Sequence, residues 1–173
     1  MKGFSSLYLN NKNKDDIDNY YKLAQSIGGN DSQPYSPSYH VDNKMVEFDK
    51  KLNIYKSGGY EINPTAEKLI NKVKDGYIGD KNTNMQVPYV VNSKGEVIIG
   101  KRNGNGRGNG ALPTPHPTLI GGKDPTVVVA GILDIRKGKI YSYNNMSGHY
   151  KPNKKSLKAV EDIFAKFPRY KRR

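Results

Sequence analysis

Two histidines sit in loops of unusual make-up. His116 stands between Pro115 and Pro117 and opens the run His116-Pro117-Thr118-Leu119-Ile120-Gly121-Gly122; His149 lies in Ser147-Gly148-His149-Tyr150-Lys151-Pro152. The flanking prolines restrict the backbone at His116 and can hold its imidazole in one direction. Gly148 opens conformations closed to other residues and permits close approach to a ligand. Imidazole changes protonation near neutral pH, so two rings can divide general acid and general base between them. Lys123, Arg136 or Lys151 can supply charge to a phosphate, and Thr118, Ser147 or Tyr150 can supply hydrogen bonds. That set suffices for metal-independent cleavage of RNA, with His116 and His149 as the acid–base pair and Lys123 and Tyr150 in support. The competing expectation is structural. A histidine beside a turn often bonds a backbone carbonyl, and a Ser-Gly-His-Tyr turn can be locked by its own side chains.

Composition narrows the chemistry. The 173 residues include no cysteine and three histidines, which excludes disulfides, thiolate catalysis and a Cys/His zinc site. Asp15/Asp16 and Glu161/Asp162 are expected as helix-cap and solvated-face residues, so neither a metal nor a cofactor is expected. The formal net charge is +13 and the pI about 9.7. Such a balance favours polyanionic partners, because each neutralised phosphate releases counterions. Arg102, Arg107, Arg136, Lys151, Arg169, Lys171, Arg172 and Arg173 are the candidates for contacting nucleic acid or a partner protein. The Gly/Asn-rich stretch 103–110 lacks the Gly-Lys-Ser/Thr ending of a phosphate loop, and is expected to be a mobile loop presenting Arg102 and Arg107. The thirteen tyrosines, interleaved with Lys and Arg, suit either base stacking or protein interfaces.

The elements that position these residues are few. Only 35% of the chain is hydrophobic, against roughly 45–50% in an ordinary globular domain, so a modest core is expected. Asp15 and Asp16 predict a short helix to about Ile27, and residues 30–44 read as an extended polar loop that must lie on something else. Residues 45–56 suit one strand, or a helical turn followed by a strand. Asn63-Pro64 predicts a helix closed by Gly76. Val87–Val91 and Glu96–Gly100 predict one hairpin, and Thr126–Arg136 and Lys139–Tyr143 a second across Lys137-Gly138. Leu157, Val160, Ile163, Phe164 and Phe167 share one face of a final helix, 154–167. The expected fold is α+β: a small antiparallel sheet of two hairpins with flanking helices, plus an extended N-terminal arm. The arm occupies 1–63, the compact unit 64–167 and a basic tail 168–173. No apolar run approaches the roughly 20 residues of a membrane span, and the start is too short and too soon broken by Asn and Lys for a signal peptide. A soluble protein of cytoplasm or virion is expected.

Residues 86–167 resemble a known domain. The hairpin at Tyr89–Gly100, the His116–Gly122 loop, Ala130-Gly131, Gly138-Lys139-Ile140 and the Ser147–Pro152 turn look like the C-terminal half of plant calmodulin-binding proteins of the IQM type. C-terminal modules of some bacterial polymorphic-toxin-like proteins share the pattern. The Ser-Gly-His-Tyr-Lys-Pro element is the most specific part. Pro117-Thr118 stand where the pattern has two serines, and no IQ motif is present, so no calmodulin partner is implied. Two functions follow as expectations. One is a basic, non-enzymatic component of a large nucleoprotein assembly such as a phage virion, held to other subunits through its arms. The other is a toxin-type ribonuclease, which a chain opening at Met1 with no delivery domain makes the weaker expectation.

Overall fold

A computed structural model describes residues 33–106 and 112–171. The helix expected at 15–27, the arm before residue 33, and Arg107, Arg172 and Arg173 lie outside the described residues. The architecture is mixed α and β, and its centre is a five-stranded antiparallel sheet. The strands in chain order are β1 (Tyr55–Lys56), β2 (Gly59–Tyr60), β3 (Glu67–Lys68), β4 (Val73–Lys74), β5 (Tyr77–Ile78), β6 (Met85–Val91), β7 (Val97–Ile99), β8 (Val129–Arg136) and β9 (Lys139–Tyr143). The large sheet runs β3-β7-β6-β8-β9, and β1-β2 and β4-β5 form two small ribbons. The helices are α1 (Asn43–Lys51), α2 (Lys155–Ala159) and α3 (Glu161–Phe164). No helix among the described residues is long and apolar enough to cross a membrane.

Both expected hairpins form. The second closes on Lys137 and Gly138, whose φ values of 52° and 71° are both positive, the geometry that matches the twist of two paired strands. Pro88 is tolerated in β6 because β7 pairs only with Tyr89, Val90 and Val91, leaving one side of the strand open at the proline. Alternation along the strands then builds two cores. Tyr89, Val91, Val129, Leu133 and Ile135 join Ile140, Val160 and Phe164 on one face. Val90 and Ala130 join Tyr39, Met45, Leu52, Ile54 and Tyr150 on the other.

That second core draws on residues on the N-terminal side of position 64. Residues 39–60 are built into the compact unit, because α1 and its flanks cover a face of the sheet that the hairpins alone leave open. Asp42 caps α1 by accepting from the Lys44 amide at 2.9 Å, and β1 follows, which selects the helix-then-strand alternative for 45–56. The extended stretch does lie on something: its own domain. Tyr39 is 2% exposed and exchanges backbone hydrogen bonds with Val127 at 2.7 and 3.1 Å. The tail is likewise anchored, with Ile140 bridged to Arg169.

Two expected helices differ. Residues 64–76 form β3, a 3-10 turn at Leu69–Lys72 and β4. Asn63 does not start a helix; its Oδ1 accepts from the Thr65 amide and hydroxyl at 2.8 and 2.6 Å, and β3 pairs with β7. Ile70, which a helix here would carry one position after the buried Leu69, is 54% exposed. The final helix is divided at Val160 (φ −108°, ψ 5°), and the turn there buries Val160 and Phe164 together.

Candidate functional site

The two histidine loops meet inside the molecule. His116 begins a 3-10 turn, His116–Leu119, with all four of its residues buried. Its ring is 0% exposed, and Nε2–H donates to the Gly131 carbonyl at 2.8 Å. A carbonyl accepts only, so this contact places the ring proton on Nε2. Burial pushes the imidazole down to about 3, with the fields of His149 and Arg102 acting in the same direction and the Gly131 bond opposing. His116 is therefore neutral at physiological pH.

His149 is also 0% exposed. Its Nε2–H donates at 3.0 Å to Asp49 Oδ2 on α1, and the Tyr60 hydroxyl donates at 2.5 Å to the same oxygen. Burial, reinforced by Asp49, drives the Tyr60 phenol far above its ordinary value. Asp49 thus ties α1, the β1-β2 ribbon and the Ser147–Pro152 turn at one buried point. Tyr150 beside it donates to the Pro125 carbonyl at 2.7 Å, and burial holds its phenol well above the usual range too. A general acid or base must come within hydrogen-bond reach of its substrate. These rings are sealed, and the Nε2 atom of each is engaged within the fold.

In front of the buried cluster lies an open groove of about 960 Å³. Lys123, just after the first loop, and Lys151 from the second both line it, with Tyr39, Tyr60, His40 and Asp124 among the other walls. Lys151 adopts φ 48°, and its Nζ lies 3.4 Å from Asp42. His40, the third histidine, is exposed and bonds Asp124 through Nδ1 at 2.9 Å. Neither His116 nor His149 is part of the lining. The four residues grouped for catalysis are therefore divided: Lys123 faces the groove, whereas His116, His149 and Tyr150 stand behind it.

The candidate binding cations are divided as well. Arg102 is half-buried on the His116 side, where its carbonyl accepts from the Thr114 amide and hydroxyl. Arg136, Arg169 and Lys171 are exposed around the β8-β9 hairpin and the strand-like tail beside it. There the Arg136 guanidinium lies 3.5 Å from the centre of the Tyr141 ring, and that ring meets Tyr170 edge-on at 5.4 Å. Arg169 stands over Tyr143 at 5.8 Å. No group of three or more His, Asp or Glu side chains able to hold a metal exists among the described residues.

Sequence reasoning missed Asp49, Tyr60, Asp124 and the particular roles of Tyr141 and Tyr170. Asp49 carries one available signal, as an acid on the buried side of a helix whose other acid, Glu47, is exposed. No family model matches the chain, and neither a curated protein nor a solved structure matches it, so function is argued from this geometry.

Proposed function

We propose that this protein is a basic, non-enzymatic component of a nucleoprotein assembly, of the kind a phage virion contains, and that it contacts polyanionic neighbours through its surface cations. The observation that carries the reading is the sealing of both histidine rings, each with Nε2 committed to an internal acceptor. Groups arranged in this way serve to hold loops together. The net charge of +13 and the exposed arginines and lysines around β9 supply the attraction to phosphate. The test is incubation of the purified chain with RNA in EDTA, followed on native and denaturing gels. RNA that is retarded but intact is the expected result. RNA cut by the wild type and spared by His149→Ala would overturn the reading.

A further inference from the structure

We infer that the outer face of the β8-β9 hairpin is a platform for single-stranded nucleic acid, on which an exposed base stacks against the Arg136 guanidinium. This rests on the reading above and deepens it by naming the face and the form of the ligand.

The face follows from the register. On β6 and β8 the even-numbered residues share one side of the sheet. At one end of that side, Val90 and Ala130 are buried under the α1 core. Towards the other end Gln86 pairs with Asp134 and Arg136 with Lys139, and Gln86 and Arg136 are exposed. The α1 layer covers half of this side and leaves the rest to solvent. Between Asp134 and Ile135 the pairing with β9 shifts, so that Ser142 opposes Asp134 while Ile140 opposes Ile135. Tyr141 is the extra residue of that bulge, a device that re-aims a side chain. It meets Arg136 on one side and Tyr170 on another.

The result is a prearranged stack. Asp134 receives Nε–H and an Nη2–H of Arg136 at 3.4 and 3.2 Å, and Tyr141 supports the guanidinium plane. Arginine held over an aromatic ring and bound to a carboxylate presents a planar cation that can stack on any base, at less entropic cost than a mobile side chain. Lys137, Arg169 and Lys171, all exposed, surround it with charge complementary to a phosphate chain. A duplex hides its base faces, so the stacking contact selects single strands, while the lysines attract either form.

The test uses the full chain and fluorescence anisotropy with three probes: a 20-nucleotide oligo-U, an oligo-dT of equal length, and an RNA duplex. Arg136→Lys keeps the charge and removes the plane; Tyr141→Ala removes the support; Lys44→Ser, at an exposed lysine on α1, is the control. Arg136→Lys and Tyr141→Ala are expected to weaken single-strand binding about tenfold, leaving duplex binding within about twofold and circular dichroism unchanged. Lys44→Ser should bind as wild type. A preference for oligo-U over oligo-dT would assign the ligand to RNA, and equal affinity to single strands of either kind, both in accord with the platform. If the wild type binds but Arg136→Lys loses nothing, the platform is refuted and the broader reading survives. If no probe binds, both fall.

Discussion

Acidification should destabilise this protein through one residue that never meets solvent. His116 is held at about 3 in the fold, against an ordinary value of 6.5. Its folded value is depressed, so the unfolded chain binds the extra proton, and stability falls as pH drops below 6.5. Between pH 7.5 and pH 5 the unfolded imidazole becomes almost wholly protonated while the folded one stays neutral. Integrating that difference in bound protons gives a loss of about 2 kcal/mol by pH 5, growing to about 4 kcal/mol near pH 3. His116→Gln isolates the effect, since its amide can donate to Gly131 in the same way and does not titrate. Urea unfolding at pH 7.5 and 5.0 measures it. The wild type should lose about 2 kcal/mol more than His116→Gln over this interval, because every other titrating group is common to both. Equal losses would refute the account of His116 as a buried neutral donor.

Three further outcomes follow from the packing. Asp49→Asn leaves His149 and Tyr60 without a shared carboxylate and should cost about 3 kcal/mol, read from the thermal midpoint. Tyr60→Phe removes only one donor and should cost about 1–2 kcal/mol, checked by urea unfolding. At Gly131 an added Cβ would stand 1.9 Å from the Asn144 carbonyl oxygen. Gly131→Ala should therefore lower stability by about 3 kcal/mol or prevent folding, seen as loss of the near-ultraviolet dichroism of the packed tyrosines.

Local signals explain what was legible in the sequence. The two hairpins announced themselves through alternation and through turns such as Lys137-Gly138, where short-range chemistry decides the structure. The packing of the last helix was visible in Leu157, Val160 and Phe164, though its division at Val160 answers to the sheet beneath it. Residues 64–76 failed for a related reason. Asn63-Pro64 is a sound helix start by local rules, yet β7 had an open edge and β3 filled it. The candidate site was half legible. Its two loops could be picked out by composition, but their meaning depends on Asp49, which lies 100 positions from His149, and no periodicity reports such a pairing. The placement of Tyr141 against Arg136 depends on a bulge set by register with β8, which likewise has no local mark.

Affinity for oligo-U measured between 50 and 200 mM salt tests the central claim most directly. A surface that neutralises four or five phosphates should give a slope of about −3 in log affinity against log salt concentration, with the RNA recovered intact. No binding at 50 mM, or binding indifferent to salt, would contradict the account.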